Sequence, residues 1–284
     1  MLRARLSGDR LLPFHTGRRA QYIGNGIVLA RVWPRNYIYL DAADTSLTPS
    51  ILRRGAWERR IMLIIMLSLK RGGTMIDIGA NCGYHALAAM RRVGKRSGTV
   101  IAFEPQSALC TLIQRSIEAN DFLPGMKVMR LAIGAREETG SLGKMAHLKG
   151  SASFCFGEDV PDREHVPVVP LPVALEAAAK ALGRPVIPDV IKIDVEGFEM
   201  DVWEGMREWT RMRERLTIVI EFSPFSYRNA GRDPLAFLHE LRAFGFSLHA
   251  LERLWLRRLD DAACARIAAG DRQVDLVLRK LPRR

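Results

Sequence analysis

Residues 74–86, "TMIDIGANCGYHA", decide the fold. Thr74 to Ile78 read as a buried strand, and Tyr84 to Val93 as the helix that follows it. Between them lies Gly79-Ala80-Asn81-Cys82-Gly83, a turn whose glycines let the backbone approach a ligand that side chains would hold off. A dinucleotide turn needs G-x-G-x-x-G, with a helix N-terminus set against the pyrophosphate. This one departs from it: Asn81 stands where the second glycine should be, Gly83 comes one position early, and Asp77 would repel a phosphate. A ligand bearing an amino group suits the acid better. S-adenosylmethionine carries an ammonium, a carboxylate, a sulfonium and a ribose diol, and no phosphate. Glu104, twenty-one residues after Gly83 and at the end of the next strand, is placed to accept both ribose hydroxyls.

Outward from this turn, strands and helices alternate. "TVIAFE" reads as a strand and Ser107 to Asn120 as a helix; "KVMRLAI" (127–133) reads as a strand. "PVALEAAAKAL" reads as a short helix, "DVIKIDV" (189–195) as a strand, Phe198 to Trp209 as a helix and "LTIVIEF" as a strand. A helix over Pro234 to Phe244 precedes "FSLHAL" and "QVDLVLRK", a final antiparallel pair. Alternation of this kind means an α/β fold with a mostly parallel sheet, helices on both faces and ligands beyond the carboxyl ends of the strands. Asp77, Glu104, Ala132, Asp194 and Glu221 all fall at or just past such ends. Upstream, residues 20–48 read as a small antiparallel β unit. Ile51 to Lys70 reads as one helix capped by Ser50, with the apolar run Ile61–Leu69 buried. Residues 134–170, rich in glycine, read as hairpins lying over the site like a lid, with Ser151 and Ser153 as turn residues. The expected organisation is therefore a basic tail and β unit over 1–50, packed on a catalytic domain over 51–284.

Composition narrows the function classes. The 284 residues carry a net charge of +12, but residues 1–20 and 279–284 each hold +4 of it. A phosphate-tracking groove would need its cations on the folded body, so nucleic acid is not the expected partner. The tails are expected to be solvated or to rest on an anionic surface. The four cysteines are widely spaced, without a CxxC pair, and are expected to be free thiols in a reducing compartment. No signal-peptide pattern and no run of membrane-spanning length is seen, which makes the cytoplasm the default expectation.

"IDIGANCGYHALAA", "TVIAFEPQ", "LAIG", and above all "DVIKIDVEGFEMDVWEGM" followed by "IVIEF", resemble the FkbM-type family of S-adenosylmethionine-dependent methyltransferases. "IYLDAADTSLTPSILRRGAWE" is similar to that family's leader, so the likeness covers roughly residues 24–225. It implies a class I methyltransferase (Rossmann-like) sheet with a reversed last hairpin, and O-methylation of a sugar, polyketide or similar small molecule or glycan. It further implies that Asp77, Gly79, Ala80, Asn81, Gly83, Glu104 and Pro105 bind the cofactor, that Ala132 and Ile133 line its adenine, and that Glu58 contacts its methionine end. Two positions depart from the family pattern: Leu171-Pro172 replaces a leucine-aspartate pair, and Ser116 an asparagine.

A hydroxyl is a poor nucleophile, so a base or a metal should assist it. Asp194 and Glu196 are the expected catalytic acids, with Glu221 a weaker third and Lys192 supporting their charge. Glu199 is expected only to favour a helix N-terminus, His85 to be structural, and Phe198, Trp203 and Trp209 to be core. A divalent ion held by the acids is the less favoured expectation, and no metal ligands are assigned. Two alternatives stay open: an RNA 2′-O-methyltransferase, and a non-catalytic binding protein on the same fold.

Overall fold

The computed structural model describes residues 3–4, 12–13, 19–145, 148–154, 160–252 and 255–281. Most of the basic N-terminal tail, the last three residues, Cys155 and Gly157 lie outside the described residues. Strands β1 (Arg3–Ala4) and β2 (Leu12–Pro13) pair antiparallel. Strands β3 (Ala20–Tyr22), β4 (Ile27–Val32) and β5 (Asn36–Asp41) form the expected antiparallel unit.

Residues 51–70 do not form one helix. Helix α1 (Leu47–Arg54) ends at Gly55 with φ 66°, and α2 (Arg59–Ser68) starts after Glu58, whose φ is 37°. Asp44 rather than Ser50 satisfies the first turn, its carboxylate accepting from the amides of Ser46, Leu47 and Thr48. The break turns the chain so that Glu58 enters the site.

Strand β6 (Thr74–Ile78) leads into α3 (Tyr84–Val93), and β7 (Thr99–Phe103) into α4 (Ser107–Ala119). The expected strand over 127–133 divides instead into β8 (Met126–Met129), in the main sheet, and β9 (Ala132–Ile133), in another. The excursion supplies β10 (Glu138–Met145), β11 (Leu148–Ser153) and β12 (Arg163–Val169), which with β9 form a second sheet in the order β11-β10-β12-β9. Helix α5 (Leu171–Leu182) and β13 (Val190–Ile193) follow. The helix read over 198–209 is two, α6 (Glu199–Glu204) and α7 (Arg207–Arg211). Its break at Gly205 lets the chain pass the Gly134 carbonyl, 1.9 Å from where a Cβ would sit.

After β14 (Leu216–Phe222) come α8 (Pro224–Asn229) and α9 (Pro234–Ala243). The chain ends with β15 (Ser247–Leu251), β16 (Leu256–Arg258), α10 (Asp261–Ala269) and β17 (Val274–Lys280). Strands β15 and β17 pair antiparallel as expected, but β16 and α10, unread in the sequence, separate them along the chain.

The main sheet runs β16-β15-β17-β14-β13-β6-β7-β8. From β14 to β8 the neighbours are parallel, and β17 lies reversed between β14 and β15. Alternate side chains enter two cores. Ile76, Ile191 and Ile218 face α5, α6 and α9, while Met75, Val190 and Val219 face α2 and α3. Parallel strands buried on both faces explain the unbroken apolar runs. The three-stranded unit sits on α4, where the Tyr39 amide donates to Ser116 Oγ at 2.9 Å and the Tyr37 amide to Asn120 Oδ1 at 2.9 Å. Ser116 therefore serves packing. No helix among the described residues is long and apolar enough to cross a membrane.

Candidate active site

A cavity of about 330 Å³ opens at the carboxyl ends of β6, β7, β13 and β14. Its wall includes Glu58, Gly79, Ala80, Asn81, Glu104, Pro105, Ala132, Ile133, Asp194, Glu196 and Glu221, so eleven of the thirteen residues expected from the sequence share one space. Asp77 and Gly83 do not reach it. Gly83 turns the chain into α3 with φ 78°, packed against Ile113. Asp77 is fully buried behind the turn, 3.9 Å from Lys192 Nζ.

The turn is held from two sides. The Gly79 and Ala80 amides donate to the Phe103 carbonyl at 3.0 and 3.1 Å. A Cβ on Gly79 would lie 1.9 Å from the Asp194 carbonyl oxygen, so only glycine lets the two strand ends meet. Asn81, with φ 54°, donates its amide to Glu104 Oε2 at 2.8 Å, and the Gln106 amide donates to Oε1 at 2.9 Å. Each Glu104 oxygen thus keeps acceptor capacity while its position is fixed. Burial raises this carboxyl to about 7, against the pull of those two amides.

Lys192, almost sealed from solvent, organises the other acids. Its Nζ donates to Asp194 Oδ2 at 2.8 Å, and Asp194, Asp77 and Glu58 push its pKa up despite burial. Asp77 is raised to about 6 by burial, with Lys192 opposing. Neither of its oxygens forms a full hydrogen bond, although the Ala86 amide lies near enough to temper the rise. Glu58 is raised to about 7 by burial, and Glu221 to about 10 by burial and then by Asp194, Glu199 and Glu196. Glu196, with φ 55°, is raised to about 7 by burial and by Asp194. Its side chain is open to the cavity mouth, so water softens that push more than for the sealed acids.

Several residues play parts that the sequence reading did not assign. Glu199 is wholly buried, and its Oε1 accepts from the Val195 and Gly197 amides at 3.1 Å each, clamping the loop that carries Asp194 and Glu196. The i, i+2 and i, i+4 spacing to those amides was the available signal. Ser151 and Ser153 are strand residues of β11, not turn residues, and the Ser153 Oγ donates to the Glu196 carbonyl at 2.8 Å, tying the excursion to the same loop. Phe154 packs on Phe198 with ring centres 5.1 Å apart, and both line the cavity, so Phe198 belongs to the wall rather than to the core alone. Trp203 is core as expected. His85 lines the cavity too; its Nε2 has no hydrogen-bond partner and lies 3.6 Å from Glu58 Oε2. Burial, then Lys192, hold its imidazole neutral. Cys82 is a buried wall thiol pushed up to about 12 by burial, which leaves it unreactive. Among the described residues no group of three histidine, cysteine or acidic side chains is arranged to hold a metal ion.

These pKa values set a pH dependence of stability. Asp77, Glu58, Glu104, Glu199 and Glu221 all lie above their unfolded values, so the folded chain holds more protons than the unfolded one. Their contribution is full below the unfolded values and is lost as pH rises through the folded ones. Lys192, raised from 10.5, contributes no slope near neutrality, and His85, lowered from 6.5, opposes the acids only until its unfolded form has lost its proton, by about pH 7.5. The ligand-free protein should therefore melt at a lower temperature at about pH 8 than at about pH 6.5. Scanning calorimetry checks this, and Glu221→Gln should flatten the slope; a melting temperature that climbs over that range contradicts it.

A sheet that is parallel from β14 to β8, with β17 reversed beside β14 and the short β16 reversed at the edge, and a glycine turn and strand-end acids around one cavity, is the architecture of a class I methyltransferase. The chain belongs to the FkbM methyltransferase family: the Methyltransferase FkbM domain matches residues 77–260, more than half of its length. It is 25% identical over 174 residues to Methyltransferase sdnD of Sordaria araneosa, covering 52% of this chain and 65% of that protein. The chain thus spans about two thirds of that relative's length. Among solved structures it is similar to an FkbM methyltransferase from Methylobacillus flagellatus, at 15% identity and a TM-score of 0.45, covering 74% of this chain and 44% of that one. It is also similar to a SAM-dependent O-methyltransferase from Thermotoga maritima, at 14% identity and a TM-score of 0.42, covering 90% and 78%.

Proposed function

We propose that this methyltransferase moves a methyl group from S-adenosylmethionine to a hydroxyl of a small molecule, sugar or glycan. The observation that carries the reading is the convergence of the Gly79 turn, Glu104 and the Asp194–Glu196 loop on one cavity. The residues present suit the cofactor. Glu104, fixed by two backbone amides yet with acceptor capacity left, would accept the ribose hydroxyls. Phe103, Leu131, Ala132, Ile133 and Leu142 supply an apolar wall for adenine, bounded by Pro105. Ala80 and Asn81 would present backbone to the methionine portion, and Glu58 would meet its ammonium. Asp77 serves this wall indirectly, through Lys192.

Bound S-adenosylmethionine supplies an electrophilic methyl carbon on a sulfonium. The protein's share is to hold an acceptor oxygen in line with it and to take the hydroxyl proton. Glu196 is placed for the proton, at the cavity mouth and raised toward neutrality. Asp194, fixed by Lys192, orients the hydroxyl. The excursion, tied to the Glu196 carbonyl through Ser153, closes the acceptor side as a lid.

Incubating the pure protein with methyl-labelled S-adenosylmethionine and fractionated glycan and metabolite extracts tests the reading. The label should appear in an ether stable to alkali, and label confined to esters or amines would overturn it. Glu104→Ala should weaken S-adenosylmethionine binding by about 1–3 kcal/mol, the size of lost charge-assisted hydrogen bonds. Calorimetric titration giving wild-type affinity would remove the ribose assignment.

A further inference from the structure

Helix α2 covers one face of the sheet with Ile61, Met62 and Ile65. Among the described residues nothing covers its opposite face. Leu63 is 49% and Leu67 79% exposed, one turn apart, flanked by the half-buried Ile64 and Met66. Cations close both ends of this apolar strip. Arg59 and Arg60 are exposed in the first turn, Lys70 and Arg71 lie exposed just past the last, and Arg92 reaches in from α3, its Nε donating to the Met66 carbonyl at 2.9 Å. Arg53 and Arg54 of α1 extend the same basic border. Between Thr45 and Ile76 the sequence holds six cations and one acid, Glu58, which faces the cavity.

Arg59 touches the Arg54 carbonyl at 3.3 Å and Arg60 lies near Asp275, yet two features leave most of this charge without a partner in the fold. Among the described residues none of Arg53, Arg54, Arg59, Arg60, Lys70 and Arg71 forms an ion pair. Arg59 and Arg60 also sit at a helix N-terminus, where the dipole disfavours positive charge, with no acid in that turn. An apolar strip with unpaired cations at its rim matches a surface that is anionic outside and apolar just beneath.

We propose that the outer face of α2 docks on an anionic lipid bilayer, with Leu63 and Leu67 entering the headgroup boundary and the arginines and lysine resting on lipid phosphates. Charge decides against the other occupants. A second copy seated on the same face would set these cations against themselves, with two exposed leucines as its apolar centre where a stable interface takes roughly 800 Å² per partner. Single-stranded nucleic acid would find leucines where stacking aromatics are needed. Glu58 directly precedes α2, so a docked bilayer lies beside the cavity wall.

Co-sedimentation with phosphatidylcholine vesicles, with and without phosphatidylglycerol, tests this on the full chain. The protein should bind only the anionic vesicles, and less as salt rises. Leu63→Asp/Leu67→Asp and, separately, Arg59→Gln/Arg60→Gln/Lys70→Gln/Arg71→Gln should each weaken binding by about tenfold or more. All these side chains are exposed, and unchanged melting curves will show that the variants fold. The proposal is overturned if the wild type ignores anionic vesicles at low salt. It is equally overturned if both variants bind as well as wild type while deletion of residues 1–18 abolishes binding, which would place the contact on the tail. Light scattering that shows a dimer abolished by the leucine changes, or RNA binding without vesicle binding, would assign the face to those partners instead.

Discussion

Lys192→Met should cost the protein about 3–5 kcal/mol of stability, the range for removing one partner of a buried ion pair. Lys192 is 3% exposed, and its ammonium is the nearest positive charge to both Asp77, 3.9 Å away, and Asp194, 2.8 Å away. Without it, Asp77 is a carboxylate sealed in the sheet with no full hydrogen bond. The group escapes by taking a proton, so the loss should shrink at lower pH: larger at about pH 8 and smaller at about pH 5.5. Urea denaturation of the variant at both pH values measures it. Adding Asp77→Asn should recover most of the loss, because the orphaned charge is then gone. If the single variant is as stable as wild type at both pH values, Lys192 does not hold this cluster together.

The contrast between the Lys192 cluster and the rest of the molecule shows what the sequence made legible. The alternation around β6, β7, β13 and β14 was readable because parallel strands buried on both faces need continuous apolar runs. The glycine turn and Glu104 were readable because few ligands tolerate that spacing. Three helix and strand breaks were not: Gly55, Gly205 and the Arg130–Leu131 step each divide a segment whose apolar pattern runs on unbroken. In each case tertiary contact overrode local period, most plainly at Gly205, which must clear the Gly134 carbonyl. Side-chain partners were the least legible. Asp77 looked like a ligand-facing acid by position, yet its strand places it below the turn, where it faces Lys192 instead. Glu199 looked like a helix-favouring acid, yet it closes the loop before its own helix. Leu63 and Leu67 were absorbed into an apolar run, since a strip beside a buried face has the same composition as the face itself.

Turnover should fall at least about tenfold in both Asp194→Asn and Glu196→Gln, with cofactor affinity nearly unchanged, since general-base assistance contributes at least that much. Both residues follow β13 on the loop clamped by Glu199, at the cavity wall opposite Glu104. Their roles differ in protonation. Glu196, raised above the ordinary carboxylate range by burial and Asp194, must lose its proton to act, so the wild-type rate should climb with pH up to about 7 and then level. The Glu196→Gln variant should lose the climb along with the rate. Asp194→Asn keeps a hydrogen-bonding side chain but removes the charge that Lys192 holds, so the rate should fall while the climb with pH survives. Burial and then the neighbouring Asp194, Glu199 and Glu196 push Glu221 toward its neutral form, so Glu221→Gln resembles that form and should change turnover least of the three. Single-turnover assays with the true acceptor across pH separate these outcomes. Full turnover in both the Asp194→Asn and Glu196→Gln variants would move the base to His85, whose neutral, unpartnered Nε2 lies on the same wall.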